Sequence, residues 1–420
     1  MEYGLIGATL KHSYSKLIHE RLYPCDYKLT ELPTETEARE FLEKRPFKAI
    51  NVTIPYKQLV IPYCATLDDK AKAIGAVNTV VNRNGLLYGY NTDFDGFSCL
   101  AAAHGVEFAG RRVLILGTGG TSKTVTAVAK AAGAAQVLYA SRTPGPGRLS
   151  YDEALCCGAQ VVVNTTPAGM YPNNDALALD AAKMPGLEAV LDVVYNPFTT
   201  RLVAAAKGAG VNAAGGLEML VAQAVYAAAL FTGSEPQTER IAPLAKAIFA
   251  ERANVSLVGM PSCGKTTIGK QLARALGKKF VDLDAEIVKT AGRSIPDIFA
   301  DSGEEGFRDL EQRVTARFAK ESGQVLSCGG GVVKRPANVA ALRQNGPVVF
   351  IDRPLELLRT GGGRPLHRPG GPGADGGRAP AAVSGGGGPA HPQRHRPVPR
   401  RGPGGRGGIT CVFWYLTAPT

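Results

Sequence analysis

Twice along the chain a short apolar run breaks off into glycine and is followed by a helix-like segment. Val113-Leu114-Ile115-Leu116 leads into Gly117-Thr118-Gly119-Gly120-Thr121-Ser122, and Val255-Ser256-Leu257-Val258 leads into Gly259-Met260-Pro261-Ser262-Cys263-Gly264-Lys265-Thr266. Such runs read as strands buried on both faces. Others follow at residues 137–140, 161–163 and 190–193 after the first loop, and at 280–281, 324–326 and 348–351 after the second. Strands alternating with helical segments imply a doubly wound α/β sheet, here present twice. A helical stretch from 217 to 250, containing Gly233 and Pro236, separates the two series, and the boundary is expected near 251–254.

Each loop carries its own chemistry. Glycines let the backbone approach a pyrophosphate, whose charge then sits at a helix N-terminus. After the first loop the next strand ends in Ser141-Arg142-Thr143. An acid there would bind a ribose 2′-hydroxyl, whereas an arginine suits a 2′-phosphate. NADP is therefore expected over NAD, the alternative for Arg142 being a solvated surface position. The second loop matches the eight-residue phosphate loop in full. Backbone N–H groups from Gly259 to Gly264 would cradle ATP phosphates, Lys265 would reach their outer oxygens, and the Thr266 hydroxyl, beside Thr267, would bind Mg²⁺.

The first hundred residues are dense in polar clusters: Ser13 and Ser15, Asn51-Val52-Thr53-Ile54-Pro55-Tyr56-Lys57, Gly75-Ala76-Val77-Asn78-Thr79, and Gly89-Tyr90-Asn91-Thr92-Asp93. Taken singly, each reads as a turn or a cap. Taken together, hydroxyls and amides on separate loops suit a small polyhydroxylated ligand. One lysine and one aspartate could share proton transfer.

Composition narrows the setting. Of the formal charge of +12 in 420 residues, about half lies in residues 367–408, where Arg368, Arg378, Arg394, Arg396, Arg400, Arg401 and Arg406 face one acid, Asp375. Charge therefore says little about the partners of the folded part. The start, Met1-Glu2-Tyr3-Gly4, has no signal-peptide pattern. No apolar run approaches a membrane span, Gln223 interrupting the best candidate. The cysteines are scattered, as in a reducing, cytoplasmic setting.

The ordered set of motifs over residues 1–247 closely resembles shikimate dehydrogenase. It comprises Ser13, Ser15, the run ending in Lys57, Asn78, Asp93, the dinucleotide loop, Asn164-Thr165-Thr166-Pro167-Ala168-Gly169-Met170, Asp192-Val193-Val194-Tyr195-Asn196-Pro197, and Gly216-Leu217-Glu218-Met219-Leu220 with Gln223. The resemblance implies NADPH-dependent reduction of 3-dehydroshikimate to shikimate. Ser13, Ser15, Thr53, Asn78, Asp93 and Gln223 would hold substrate, with Tyr195 nearby. Lys57 and Asp93 would be catalytic. NADP would lie against Gly117, Gly119, Gly120, Thr121, Ser141, Arg142, Thr143 and Met219. There are departures from the family pattern: Lys16 and Glu20 stand where proline and asparagine are usual, and Ser141 where asparagine is.

Residues 254–366 resemble shikimate kinase, through the phosphate loop, Phe280-Val281-Asp282-Leu283-Asp284, Phe307-Arg308-Asp309-Leu310-Glu311 and Cys328-Gly329-Gly330-Gly331. The two aspartates read as alternate strand-end positions facing one side. By resemblance Asp284, Arg308, Gly329, Gly330 and Gly331 would bind shikimate, with Asp284 taking the 3-hydroxyl proton. Asp282 would help hold Mg²⁺, and Arg359 and Arg364 would contact ATP. The expected division is a substrate domain over 1–100 completed by helix 217–247, a Rossmann-type NADP domain over 101–216, a P-loop domain over 253–366, and a disordered tail over 367–420.

After Leu366 the resemblance stops, and residues 367–408 are about half glycine and proline. Three readings stand: a reading-frame shift near codon 366, a genuine disordered tail, or an arginine/glycine-rich nucleic-acid-binding segment. On any of them the lid and a second substrate-binding arginine are missing, so impaired kinase turnover is expected. Competing with the biosynthetic reading are an NAD-linked quinate/shikimate dehydrogenase and a regulatory or nucleic-acid-binding protein with relic catalytic domains. The expected partners are 3-dehydroshikimate and shikimate, with no membrane or nucleic acid, in a monomer or homodimer.

Overall fold

The computed structural model describes residues 1–10, 13–143 and 145–353. Three sheets follow one another along the chain. The first contains β1 (Tyr3–Gly7), β2 (Tyr27–Glu31), β3 (Ala49–Val52), β4 (Thr66–Leu67), β5 (Thr79–Arg83) and β6 (Leu86–Tyr90), in the order β2-β1-β3-β5-β6-β4. Its β1, β2 and β3 are parallel, and β5 runs antiparallel to both β3 and β6.

The second sheet is wholly parallel. It contains β7 (Arg112–Leu116), β8 (Gln136–Ala140), β9 (Val161–Asn164), β10 (Ala189–Asp192) and β11 (Asn212–Ala214), in the order β11-β10-β9-β7-β8. Its apolar runs are explained by burial on both faces. Val113 and Ile115 pack with Phe97, Leu100 and Val125, while Leu114 and Leu116 pack on the other face with Leu202 and Val203. Register then builds a row: Leu116 pairs with Ala140 and with Asn164, and Asn164 pairs with Asp192. The loops beginning at Gly117, Ser141, Thr165 and Val193 therefore leave one edge of the sheet together. Strand order reverses between β7 and β9, where open α/β sheets bind ligands.

The third sheet, β13-β14-β12-β15, is also parallel, with β12 (Val255–Val258), β13 (Lys279–Asp282), β14 (Gln324–Ser327) and β15 (Val348–Phe350). Here too alternate residues serve opposite faces: Val258 and Leu326 lie in one core, Leu257 and Val325 in the other.

Helix Leu217–Thr232 ends at Gly233 and helix Ile241–Arg252 follows it. The first of these returns to pack on helix Asp93–Ala103 at Gly96. A Cβ at Gly96 would lie 2.8 Å from the Met219 carbonyl oxygen and 2.9 Å from the Gln223 Cβ. That close approach brings Met219 and Gln223 beside Asp93. No helix among the described residues is long and apolar enough to cross a membrane.

Candidate active site

Loops of the first sheet face the carboxyl edge of the second across a cleft of about 320 Å³. Ser13, Ser15, Thr53, Lys57, Asn78, Asp93, Tyr195 and Gln223 all lie on its wall, with Thr121 and Met219 on the side of the second sheet. Lys57 Nζ donates to Asp93 Oδ2 at 2.6 Å, with the two side chains 23% and 14% exposed. Asp93 opens its helix directly after Thr92. Lys57 is anchored through its backbone, whose carbonyl accepts from the Val77 N–H at 2.8 Å. Asn78 joins two of the sequence clusters: its Oδ1 accepts from the Thr92 N–H at 2.8 Å and its Nδ2 donates to Thr92 Oγ1 at 3.0 Å. One Nδ2 hydrogen of Asn78 remains for a ligand.

Asn51 also lines the cleft, although it was given no role from sequence. Its Oδ1 accepts from the Tyr27 hydroxyl at 2.6 Å and its Nδ2 donates to Thr79 Oγ1 at 3.1 Å. The signal was its place at the head of the run ending in Lys57. Tyr195 packs against Tyr14 with ring centroids 5.5 Å apart. Burial, with a smaller contribution from Tyr14, pushes the Tyr195 hydroxyl up to about 12, so it stays a neutral donor at ordinary pH. Behind Tyr195, buried Asp192 accepts from the Val194 N–H, Asn164 Nδ2 and Thr200 Oγ1, fixing the start of the segment.

The dinucleotide loop is shaped by close approach. Gly117 has φ 99°, and a Cβ there would come within 2.7 Å of Thr166 Cγ2. Gly119 and Gly120 instead face open space, at the start of helix Gly120–Ala131. Unpaired N–H groups at that helix start and an open backbone fit a pyrophosphate. Ser141 follows β8, its hydroxyl accepting from the Thr143 N–H at 3.2 Å, and Arg142 and Thr143 are exposed. Lys123 and Arg148 border a second, more open cleft nearby, two cations that sequence reasoning did not single out.

In the third sheet, β12 ends in the phosphate loop. Gly264 has φ 100° and caps helix Lys265–Leu276. Lys265 Nζ donates to the carbonyls of Gly259 and Met260 at 2.8 and 2.9 Å. Thr266 Oγ1 donates to Asp282 Oδ2 at 3.1 Å, while Thr267 is exposed on the same first turn. One expectation needs correcting. Asp282 ends β13, but Asp284 lies in the first turn of helix Leu283–Ala291, so alternation along a strand does not relate them. What brings Asp284 to the site is the cap: Asp282 Oδ1 accepts from the Asp284 N–H at 3.1 Å.

The three glycines after Cys328 are each crowded from a different direction. A Cβ at Gly329 would meet Asp284 Oδ1 at 2.6 Å and Glu311 Oε1 at 3.1 Å, and one at Gly330 would meet Pro261 at 2.9 Å. One at Gly331 would collide with the Arg308 guanidinium. Arg308 itself is buried and donates to Glu311 Oε2 at 2.7 Å. Glu311 went unassigned from sequence; burial raises its pKa, with Arg308 opposing. Arg359, Arg364 and the expected tail over 367–420 lie outside the described residues.

Comparison with known proteins decides the lineage of these sites. The shikimate dehydrogenase substrate binding domain model matches residues 5–80, and the shikimate 5′-dehydrogenase C-terminal domain model matches 216–244. The shikimate dehydrogenase (NADP(+)) of Clostridium beijerinckii is 35% identical over 241 residues, covering 54% of this chain and 89% of that protein. The chain belongs to the shikimate dehydrogenase family. The shikimate kinase model matches residues 261–369, so the chain is a fusion of a shikimate dehydrogenase with a shikimate kinase domain. Among solved structures, the chorismate mutase/shikimate 5-dehydrogenase fusion protein from Clostridium acetobutylicum is 30% identical with a TM-score of 0.55, covering 59% of this chain and 96% of that one. Shikimate 5-dehydrogenase from Thermus thermophilus, in complex with NADP(H) and shikimate, is 30% identical with a TM-score of 0.53, covering 59% and 99%.

Within this dehydrogenase the two departures at the first helix form one unit. Lys16 Nζ bonds Glu20 Oε1 at 2.6 Å and donates to the Tyr27 carbonyl at 3.0 Å. The pair ties helix Ser15–Leu22 to β2 and leaves the cleft-facing Ser15 in place.

Proposed function

We propose that the chain reduces 3-dehydroshikimate to shikimate with NADPH in the first cleft, and that its C-terminal part carries a site for phosphorylating shikimate at its 3-hydroxyl. The observation that carries the first reading is the 2.6 Å Lys57–Asp93 pair in a cleft walled by hydroxyls and amides and facing a glycine loop. Ser13, Ser15, Thr53, Asn78 and Gln223 hold the substrate hydroxyls and carboxylate, and Tyr195 donates from the opposite wall. Gly117, Gly119, Gly120 and Thr121 would hold NADPH, with Ser141, Arg142 and Thr143 for its 2′-phosphate and Met219 on the cleft wall, and the cofactor would supply the hydride. Lys57 gives its proton to the carbonyl oxygen as the carbonyl carbon is reduced, and Asp93 keeps the ammonium aimed until then. The working units are residues 1–100 with the helical stretch 217–247, which is two helices broken at Gly233 and not one, residues 101–216, and residues 253–366.

In the kinase part, Gly259, Gly264, Lys265 and Thr267 hold ATP phosphates, and Thr266 with Asp282 holds Mg²⁺. Arg308 and the glycines Gly329, Gly330 and Gly331 would shape the shikimate site, and Asp284 would take the hydroxyl proton as the oxygen attacks the terminal phosphorus of ATP and the bond from that phosphorus to the bridging oxygen breaks, releasing ADP. Turnover there should be low, because the sequence stops resembling the kinase family after Leu366. The test uses one full-chain preparation. NADPH oxidation should depend on 3-dehydroshikimate and fall about 10²–10⁴-fold in Lys57→Met, with NADPH binding retained. Normal NADPH binding without substrate-dependent oxidation sinks the first reading; shikimate-dependent ATP consumption at the rate of an intact kinase sinks the second.

A further inference from the structure

The two enzymatic parts of the chain meet at Gln344, the last residue of helix Pro336–Gln344 in the kinase part. Gln344 is 5% exposed and its partner Asn174 is 4% exposed. Every polar group of the Gln344 side chain is used across this junction: Oε1 accepts from Asn174 Nδ2, and Nε2 donates to the Asn174 carbonyl at 3.2 Å. Its backbone carbonyl accepts from the Thr199 N–H at 2.9 Å. One kinase residue thus holds two dehydrogenase segments at once.

Those two segments also hold each other, the Tyr171 N–H donating to the Asn196 carbonyl at 3.2 Å. Asn196 is the neighbour of Tyr195 on the cleft wall. From the other end the same segment is fixed by Asp192, through the Val194 N–H and the Thr200 hydroxyl. A second kinase contact reaches the segment hydrogen-bonded to it: the Tyr171 hydroxyl donates to the Ala319 carbonyl at 3.3 Å. Lys320 Nζ adds a bond to the Pro172 carbonyl at 3.0 Å. The junction thus bears on the segment that carries Tyr195 and on the segment hydrogen-bonded to it.

We propose that Gln344 is a positioning residue for the dehydrogenase, holding segment 193–199 so that Tyr195 is presented to substrate. The kinase part therefore tunes substrate affinity in the other active site whether or not it turns over. The proposal rests on the reading of the cleft given above only for the identity of the substrate.

The test compares full-chain wild type with Gln344→Ala. Amide hydrogen exchange should speed up in peptides covering 171–174 and 193–199 and stay unchanged in β7 and β9. KM for 3-dehydroshikimate should rise about tenfold, from two lost side-chain hydrogen bonds, with kcat within about twofold. Asn174→Ala removes only the Nδ2–Oε1 bond and keeps the backbone carbonyl for Gln344 Nε2, so it should raise KM less, and the double variant should match Gln344→Ala alone. Unchanged exchange in 193–199 overturns the proposal whatever the substrate is. So does loosening of the whole second sheet, or an equal loss of kcat, since both describe a structural role. If wild type shows no substrate-dependent turnover, the functional reading fails while the exchange result still decides the role of Gln344.

Discussion

Asp192 is fully buried, and three hydrogen bonds do not offset the cost of burying its charge: desolvation pushes it up to about 6 from an ordinary 3.8. Because the folded chain binds this proton more tightly than the unfolded chain, stability from Asp192 is greatest at low pH and is lost as pH rises from 3.8 through 6. The gap corresponds to about 3 kcal/mol, of which about 2 kcal/mol falls between pH 4.5 and 7. Asp192→Asn removes the charge and keeps the shape. Its Oδ1 still accepts from Val194 and Asn164, and its Nδ2 donates to Thr200 Oγ1 once that hydroxyl turns. The assay is amide exchange in β9 and β10, read as an opening free energy for both proteins at each pH. Comparing the two at one pH cancels every other titrating group. Relative to wild type, the variant should gain about 2 kcal/mol between pH 4.5 and 7. A constant difference, or a relative loss on raising pH, refutes the reasoning.

Arg142→Ala should lower the preference for NADPH over NADH about ten- to a hundredfold, the range of a lost charge-assisted bond, seen as kcat/KM for each cofactor. Glu311→Ala strands the buried Arg308 charge and should cost the kinase part about 3 kcal/mol, partly offset by Glu304 at 3.3 Å. Exchange in β14 measures it, and a loss below about 1 kcal/mol contradicts the buried-pair argument. Lys265→Ala should weaken ATP binding about a hundredfold by calorimetry while 3-dehydroshikimate reduction is unchanged; joint loss would mean the two sites are not separable.

What was legible in the sequence was what is local along it. The apolar runs of β7 and β9 announced themselves because both faces of each strand are covered, and the one polar residue within β12, Ser256, is itself buried. The phosphate loop and the dinucleotide loop were legible because a strand end, a turn and a helix start must be contiguous. Asp284 misled because two residues from a strand end look alike whether the strand continues or a helix begins; only the cap made by Asp282 distinguishes them. Gln344 stayed silent for a different reason. It owes its place to Asn174 and Thr199, far away in the chain, and no pattern of its own neighbours encodes it.

The glycine triplet at 329–331 shows how a non-local constraint can nonetheless be written locally. Its three positions are pressed by Asp284 and Glu311, by Pro261 and by Arg308, which come from a helix start, a long helix and the phosphate loop. No side chain larger than hydrogen fits any of them without moving one of those groups. Three separate tertiary contacts therefore leave three consecutive glycines, and the motif records that the acid, the arginine and the phosphate loop converge there. Replacing Gly331 with alanine should displace Arg308 and weaken shikimate binding to the kinase part, while leaving ATP binding intact. A calorimetric titration of both ligands checks this; equal loss of both would mean the triplet supports the loop and not the acceptor site.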